Sequence, residues 1–250
     1  MKRAIIIGAT SGLGREVART LAKQGVIVGI AGRRVERLKE LQQEFGQERV
    51  HIAEMDVTTQ EATDQLDSLI AKVGNPDLLL YASGIGKQNP ELNPEIELNT
   101  VATNSMGMVR LVAHFLRYVK QSASYDAKHK AHIAVITSVA GTKGMGSAPA
   151  YSATKSMQST YLSALAQYVR MYDIPALFSD IRPGFVATEI LNPEKHYPML
   201  MTPAEATRHI LKGLKRKKRV IIFDWKFKLL VLFWRLIPRC IWERMTFIKN

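Results

Sequence analysis

A strand, a glycine-rich turn and a helix follow one another at the start of the chain, and this unit constrains the fold more than any other feature. Residues 3–8 form a short apolar run that ends in the turn GATSGLG. A helical pattern follows at once, with apolar positions between Val17 and Ala22 on one face. The order strand, turn, helix is typical of the first unit of a parallel sheet.

Strand and helix patterns continue to alternate along most of the chain. This alternation predicts an α/β fold with a Rossmann-type, doubly wound parallel sheet in three layers, α/β/α. Ligands of such a sheet bind at the carboxyl ends of its strands. The predicted helices lie at 35–45, 60–73, 91–121 and 149–172, and the later strands at 26–31, 50–55, 77–82, 133–137 and 176–181.

The glycines of the first turn have a spacing that suits a pyrophosphate. Gly8, Gly12 and Gly14 let the backbone approach phosphates closely, while the helix N-terminus supplies N–H donors and the positive end of its dipole. Glycines at this spacing are weak evidence alone, but a dinucleotide site requires them directly after a first strand. The predicted phosphate-binding residues are Gly8, Thr10, Ser11, Gly12, Leu13 and Gly14.

Two arginines follow the second strand, at the position that distinguishes the two nicotinamide cofactors. A carboxylate there would accept the ribose hydroxyls of NAD, whereas Arg33 and Arg34 can pair with the 2′-phosphate of NADP. The first carboxylate is Glu36. A solvated helix start is the alternative, but two cations at a helix N-terminus oppose its dipole. We therefore predict NADP as the cofactor.

A serine, a tyrosine and a lysine stand at fixed offsets in residues 138–155, SVAGTKGMGSAPAYSATK. Lys155 lies one helical turn after Tyr151, so its cation is expected to lower the pKa of the phenol from about 10. Ser138 ends the fifth strand and would hold a carbonyl or alcohol oxygen against the tyrosine. Because Y-x-x-x-K also occurs by chance on many helices, the rest of the chain decides whether this pair is catalytic.

Asn104 and the histidines are less specific signals. Asparagine is mildly unfavourable inside a helix, so a bend or an exposed polar position explains Asn104 as well as a functional role does. His114, His132 and His209 have no partner at metal-ligand spacing, and we predict no metal site. His196 could touch a substrate only because it falls in a Met- and Pro-containing lid predicted at about 186–203.

Taken together, these segments resemble the short-chain dehydrogenase/reductase family over about residues 1–215. The family's T-G-x-x-x-G-x-G motif is matched except for Ile7, which stands where threonine is usual. The segment 81–84, Tyr-Ala-Ser-Gly, departs from the usual Asn-Asn-Ala-Gly. The further motif matches are Asp56, Val57, Asn104, Ser138, Tyr151, Lys155, Pro183, Gly184 and Thr188.

The resemblance implies hydride transfer between NADPH and a carbonyl substrate. Tyr151 would donate a proton to the carbonyl oxygen that Ser138 orients. Lys155 would lower the tyrosine pKa and bind the nicotinamide ribose, and Asn104 would hold a water for a proton relay. We expect reduction, because cellular NADP pools are usually kept reduced. The cofactor-binding residues outside the first turn are expected to be Arg33, Arg34, Asp56, Val57, Ala82, Ser83, Gly84, Tyr151, Lys155, Pro183, Gly184, Val186 and Thr188.

Cysteine content and the N-terminus bear on location. The single cysteine, Cys240, excludes an intramolecular disulfide, and the first apolar run is too short for a secretory signal. We therefore expect a cytoplasmic protein, with the cytoplasmic membrane face as the alternative. The family resemblance also implies a homo-oligomer, a dimer or a tetramer.

Positive charge is concentrated in the C-terminal segment. Residues 208–250 hold 13 Lys and Arg against two acidic residues, a net charge of +11, while the first 207 residues have a net charge of only +2. The longest unbroken apolar run there, 229–234, is far too short to span a bilayer. On one continuous helix, Lys228, Arg235 and Arg239 would form a narrow cationic strip suited to anionic lipid head groups.

The partner of this segment stays open between three alternatives: a membrane surface through residues 215–249, the body of the same subunit, or a second subunit. Nucleic acid is not expected, because no recognition motif is present. We predict one domain at 1–224 and a helical extension at 225–250. If the extension meets a membrane, a lipid-like ketone becomes the natural substrate: a 3-oxo sphingoid base, a 3-oxoacyl chain or a sterol. A non-catalytic dinucleotide-binding protein at a membrane is the alternative function, and the filled catalytic positions argue against it.

Overall fold

The computed structural model describes residues 1–191 and 197–246, and within them seven parallel strands form one sheet. The strands are β1 (Arg3–Ile7), β2 (Ile27–Gly32), β3 (Val50–Glu54), β4 (Leu78–Tyr81), β5 (Ala131–Ile136), β6 (Ala176–Arg182) and β7 (Val220–Ile222). Their order in the sheet is β3-β2-β1-β4-β5-β6-β7. The order reverses between β1 and β4, which opens a crevice at their carboxyl ends.

Helices cover both faces of the sheet. They are α1 (Gly12–Lys23), α2 (Val35–Phe45), α3 (Ala62–Val73), α4 (Pro94–Val101), α5 (Gly107–Gln121), α6 (Pro149–Met171), α7 (Pro203–Lys215), α8 (Trp225–Leu236) and α9 (Arg239–Trp242). One core contains side chains of α3, α5 and α6, and the other contains side chains of α1, α2 and α7. In β1, Ile5 and Ile7 face the first core while Ala4 and Ile6 face the second. This burial on both faces confirms the predicted three-layer, doubly wound fold.

The single helix predicted at 91–121 is wrong, because the chain forms α4, a π-helical turn at Ala102–Met106, and then α5. The Tyr81 hydroxyl donates a hydrogen bond of 2.7 Å to the Thr103 carbonyl within this turn. Gly107, the first residue of α5, lies close to the segment between β3 and α3. A Cβ added to Gly107 would lie 2.8 Å from the Val57 carbonyl oxygen. These contacts hold an irregular turn in which Asn104 is completely buried.

The cationic strip predicted for the C-terminal segment is also wrong at Arg239. Helix α8 begins after Asp224, whose carboxylate accepts a hydrogen bond from the Lys226 amide, and it ends at Leu236. Pro238 has no amide hydrogen to continue the helix, so Arg239 starts the separate helix α9. Lys228 and Arg235 therefore share a helix that does not include Arg239.

One face of the C-terminal extension packs on the body of the same chain. Phe227 and Val231 are buried beside Val139, and the Phe227 ring lies within 2.6 Å of where a Cβ would stand on Gly184. The Trp242 indole donates a hydrogen bond of 2.7 Å to the Gly144 carbonyl. In the described residues, no helix is long and apolar enough to cross a membrane.

We expect Phe227→Ala to destabilise the protein by about 3–5 kcal/mol, because it empties a buried aromatic site against the 183–184 turn. Urea unfolding measures this change. Phe233→Ala on the same helix is the matched control, since Phe233 is 62% exposed and its loss should cost under about 0.5 kcal/mol. Equal losses in the two variants would show that α8 is not packed as described.

Candidate active site

The turn between β1 and α1 forms a cradle that only glycine backbones permit. A Cβ on Gly8 would lie 2.5 Å from the Ser83 amide nitrogen, and one on Gly14 would lie 2.2 Å from the Gly8 carbonyl oxygen. Ser11 precedes α1 without a side-chain cap, and the first turn of α1 has no acidic residue. The Ser11 side chain therefore does not cap the first helical N–H groups, and the electrostatics of this helix start favour an anion.

A cavity of about 440 Å³ lies over this cradle at the β1/β4 switch point. Most of the predicted cofactor residues line it, together with Ile85 and Gly86 of the β4 loop. Five predicted cofactor residues do not line this cavity: Tyr151, Lys155, Pro183, Gly184 and Val186. Of these, Tyr151 and Gly184 line the neighbouring larger cavity. The predicted residues that line it are Gly8, Thr10, Ser11, Gly12, Leu13, Gly14, Arg33, Arg34, Asp56, Val57, Ala82, Ser83, Gly84 and Thr188.

Arg34 reaches across the mouth of this cavity to the glycine turn. Its guanidinium donates hydrogen bonds to the Thr10 hydroxyl at 3.0 Å and the Ser11 hydroxyl at 2.6 Å. The same group pairs with Glu189 at 2.8 Å, and Arg37 pairs with the other oxygen of that carboxylate. Hydrogen bonds from Arg37 and Arg34 lower the pKa of Glu189 to about 2. A carboxylate is thus held by two guanidinium groups at the edge of the cavity.

Arg37 and Glu189 are site residues that the sequence interpretation missed. Arg37 stands one helical turn after Arg33 and Arg34, so helical spacing alone could have indicated it. Glu189 comes from a segment 155 positions away from Arg34. No local pattern could have indicated that contact.

Asp56 and Val57 are fixed by their immediate neighbours. Burial raises the pKa of Asp56, but hydrogen bonds from the Thr58 amide and hydroxyl, with the nearby charge of Arg33, outweigh burial and lower it. The Arg33 guanidinium lies 3.8 Å from the Asp56 carboxylate. The Val57 carbonyl accepts a hydrogen bond of 2.7 Å from Arg110.

Ser138, Tyr151 and Lys155 come together at the end of β5 and the first turns of α6. The Ser138 hydroxyl accepts a hydrogen bond of 3.1 Å from the Ala140 amide and is hydrogen-bonded to the Tyr151 phenol. The Lys155 ammonium nitrogen lies 5.6 Å from the centre of the Tyr151 ring. It also donates a hydrogen bond of 2.9 Å to the Ile136 carbonyl.

The predicted lowering of the Tyr151 pKa is wrong, because the pKa is raised. Burial raises the pKa of Tyr151, and the hydrogen bond with Ser138 offsets this only in part. Burial also lowers the pKa of Lys155 to about 8, against the opposing attraction of Asp180. Both shifts have one cause, since removal from water disfavours the phenolate and the ammonium ion alike.

Asn104 uses its side chain to hold the loop after β4. Its Oδ1 accepts a hydrogen bond of 2.9 Å from the Ile85 amide. Its Nδ2 donates one hydrogen bond of 2.8 Å to the Ile85 carbonyl and another of 3.1 Å to the Thr154 hydroxyl. The Asn104 carbonyl accepts a hydrogen bond of 2.6 Å from Gln158. The water relay through Asn104 stays a prediction. The observed contacts show that the Asn104 side chain supports the loop after β4.

That loop also sets the position of the tyrosine. A Cβ on Gly86 would lie 2.7 Å from two carbon atoms of the Tyr151 ring, so the loop packs directly on the ring face. Tyr81, which departs from the family pattern, donates its hydrogen bond to Thr103, in the same π-helical turn as Asn104. The unusual residue therefore provides a link between β4 and the π-helical turn.

A second cavity, of about 750 Å³, opens in front of Ser138 and Tyr151. It meets the first cavity at Gly86, Lys87, Glu189 and Ile190, which line both. Its apolar wall combines the end of β5, the predicted lid and the C-terminal extension: Val139, Phe185, Leu191, Met199, Leu230, Trp234 and Met245.

Backbone hydrogen bonds join the two ends of the predicted lid. Ala187 donates a backbone hydrogen bond of 2.9 Å to the Met201 carbonyl, and Met201 donates one of 3.0 Å to the Phe185 carbonyl. Residues 192–196, which include His196, lie outside the described part of the chain. Within the described part, no group of three or more His, Cys, Asp and Glu side chains is placed to hold a metal ion.

These residues fit a dinucleotide on three separate grounds. The glycine cradle allows close approach of phosphate, the uncapped N-terminus of α1 offers donors, and the first cavity leads to the second beside Tyr151. Arg33 and Arg34 also line the first cavity, and Arg34 shares the Glu189 carboxylate with Arg37.

Comparison with known proteins agrees with this geometry. An uncharacterized oxidoreductase of Myxococcus xanthus is 30% identical over 249 residues, which cover 97% of this chain and 95% of that protein. An alcohol dehydrogenase from the archaeon Thermococcus sibiricus, complexed with 5-hydroxy-NADP, has a TM-score of 0.74 and 25% identity, over 89% of this chain and 94% of that one.

A 3-ketoacyl-(acyl-carrier-protein) reductase from Brucella melitensis, complexed with NADH, has a TM-score of 0.78 over 90% of this chain and 96% of that one. At 22% identity it shows the shared fold alone. The family model for short chain dehydrogenases matches residues 2–197. Because that match covers most of the sequence and the fold agrees with it, the chain belongs to the short-chain dehydrogenase family of oxidoreductases.

Proposed function

We propose that the protein is an NADP(H)-dependent oxidoreductase that interconverts a ketone and a secondary alcohol on a hydrophobic substrate. The observation that carries this proposal is that Ser138 and Tyr151 line the second cavity beside Gly86, which packs on the Tyr151 ring and lines both cavities. One cavity has the glycine cradle and the arginines, and the other is walled by apolar side chains. The reacting oxygen would bind between the serine and tyrosine hydroxyls.

Tyr151 is the proposed general acid in reduction and the base in oxidation. Its raised pKa keeps the phenol protonated at neutral pH, as proton donation to a carbonyl oxygen requires. Ser138 already shares a hydrogen bond with this phenol and would hold the substrate oxygen in its place. Bound cofactor supplies or accepts the hydride.

Lys155 is the proposed electrostatic partner of the phenol. Its buried ammonium group is fixed by the Ile136 carbonyl and would stabilise negative charge as it develops on the Tyr151 oxygen. Asn104 positions the 83–86 loop against the Tyr151 ring, and its proposed role in a water relay is additional to that support.

The arginine cluster supports NADP as the cofactor. Arg34 and Arg37 converge on one carboxylate, and Thr10 and Ser11 add hydroxyl groups beside them. A phosphate monoester offers more charge and more acceptor oxygens than the Glu189 carboxylate, so it would compete for both guanidinium groups. The similar Thermococcus sibiricus enzyme was solved with an NADP derivative, which supports the same choice.

A lipid-like substrate fits the second cavity best. Its wall is dominated by aliphatic, methionine and aromatic side chains, and about 750 Å³ accommodates more than a small ketone. A 3-oxo sphingoid base, a 3-oxoacyl chain and a sterol are the proposed classes. Activity of the purified protein with NADPH against long-chain ketones, sterols and small diketones tests this, and turnover of the small diketones alone would contradict it.

We expect Tyr151→Phe to retain NADPH binding and to lose turnover by at least about a hundredfold, because it removes only the proton donor. Fluorescence titration measures the binding and NADPH oxidation measures the turnover. Tyr161→Phe, on the same helix, is the matched control and should keep full activity. Substantial remaining activity in the Tyr151 variant would exclude this tyrosine as the acid.

The arginine cluster predicts a specific change in cofactor use. Arg34→Ala or Arg37→Ala should raise KM for NADPH by about tenfold or more, because each removes a charge-assisted hydrogen bond to the 2′-phosphate. KM for NADH, which has no 2′-phosphate, should stay nearly unchanged. Glu189→Gln should lower KM for NADPH, because it releases both guanidinium groups. Lys39→Ala, whose partner is Glu36, is the control on the same helix. A wild-type preference for NADH would remove the basis of the assignment.

The lowered pKa of Lys155 predicts a pH limit on reduction. Below about pH 8 the side chain is charged, and as pH rises through its pKa the charge beside Tyr151 is lost. We therefore expect kcat/KM for reduction to fall above about pH 8, while cofactor binding changes less. Steady-state rates between pH 6 and pH 9.5 would show this, on the order of tenfold per pH unit on the falling limb. A flat profile across that range would contradict the assignment.

A further inference from the structure

Helix α8 has an outer apolar face that no other described part of the chain covers. Its inner face packs on the body through Phe227, Leu230 and Val231. The side chains of the outer face are between 43% and 70% exposed: Trp225, Leu229, Leu232, Phe233 and Leu236. We call these five residues the outer face of α8. A helix that is apolar on both sides needs a partner for its second side.

Cations border the outer face on both sides. At about 100° per residue, its five side chains occupy an arc of about 100°, with Lys226 at one edge and Lys228 and Arg235 at the other. All three cations are exposed. An apolar strip between two basic edges is the side-chain arrangement of a helix that lies in a membrane interface.

The surface next to α8 is basic as well. A groove beside the start of α8 is lined by Arg208, His209, Lys212 and Lys226. Two acidic residues, Glu205 and Asp224, line the same groove. The exposed residues 215–218, Lys-Arg-Lys-Lys, begin at the last residue of α7. The partner of this region must therefore combine negative charge with an apolar interior.

From these observations we infer that the outer face of α8 binds the surface of an anionic phospholipid bilayer. The aromatic and aliphatic side chains enter the acyl boundary, and the bordering cations contact lipid phosphates. A second copy of the chain fits less well, because each copy carries a net charge of +11 over residues 208–250 and isologous packing would oppose like charges.

The geometry also connects the membrane with the second cavity. Leu230 and Trp234 line that cavity from the inner face of the same helix. Binding through the outer face places the cavity wall one helix diameter from the lipid, which suits transfer of a lipid-like substrate. This last step rests on the proposed function, whereas the membrane binding does not.

Vesicle sedimentation of the full-length protein tests the inference. We expect binding to vesicles of phosphatidylcholine with phosphatidylglycerol, weak binding to phosphatidylcholine alone, and weaker binding as salt rises. Phe233→Ser with Leu236→Ser should abolish most of the binding, whereas Met171→Ser, which changes a 66% exposed methionine of α6, should not.

The charge contribution has its own matched control. The triple variant Lys226→Gln, Lys228→Gln and Arg235→Gln should weaken vesicle binding by about a hundredfold, because each cation near the surface contributes about fivefold. Lys23→Gln with Lys72→Gln and Lys120→Gln removes the same charge elsewhere and should have a much smaller effect. Circular dichroism and NADPH binding confirm that each variant is folded.

Tryptophan fluorescence provides a readout independent of activity. Trp225 is 64% exposed and Trp242 is buried, so anionic vesicles should shift the emission to the blue and Trp225→Phe should remove most of that shift. Absence of binding at low salt, or equal binding by the Phe233/Leu236 variant, would overturn the inference. Self-association lost in that variant, without vesicle binding by wild type, would assign the face to a second copy instead.

Discussion

The close approach of the β1 turn to the end of β4 is the constraint on which the site depends. Gly8 and Gly14 bring the start of α1 against Ser83 and against the turn itself, with no room for a Cβ at either glycine. This approach sets the first cavity over the uncapped N-terminus of α1. It also fixes the beginning of the 83–86 loop, whose far end packs on the Tyr151 ring. The 83–86 loop thus contacts both the glycine cradle and the tyrosine.

Desolvation dominates the electrostatics around Tyr151 and Lys155. In an isolated helix, a lysine one turn after a tyrosine would stabilise the phenolate. In the folded protein, burial raises the pKa of Tyr151 and lowers that of Lys155, because both ionised forms lose water. The arrangement therefore keeps a neutral phenol beside a cation that is easily deprotonated. Such a pair suits proton donation better than storage of a phenolate.

The C-terminal extension belongs structurally to the second cavity. Phe227 packs on Gly184, and Lys143 and Gly144 are hydrogen-bonded to the Ile237 carbonyl and the Trp242 indole respectively. The extension thereby holds the turn after β6 and completes an apolar wall. Its outer face keeps hydrophobic side chains between basic edges, so the same short helix separates the cavity from whatever binds outside.

Local sequence patterns were sufficient for six of the seven strands, because periodicity of apolar residues and glycine turns act over a few positions; the three-residue strand β7 was not predicted. They predicted the alternating elements, the doubly wound fold and the family, and they selected Ser138, Tyr151 and Lys155, which the structure brings together. The boundary at 224, the roles of the site residues and the cofactor preference stay predictions. The 91–121 helix failed because long-range contacts of Tyr81 and Val57 favour a π-helical turn that no local propensity indicates.

Contacts between residues far apart in the sequence were decided only by the tertiary structure. The pairing of Glu189 with Arg34 and Arg37 joins segments 155 and 152 positions apart, and the wall formed by Leu230 and Trp234 lies far in sequence from Ser138. The sequence by itself determined which chemical groups are present and which local elements carry them. Their burial, and with it the direction of the pKa shifts, follows from packing between elements, because the loss of water around a side chain is a property of the whole fold.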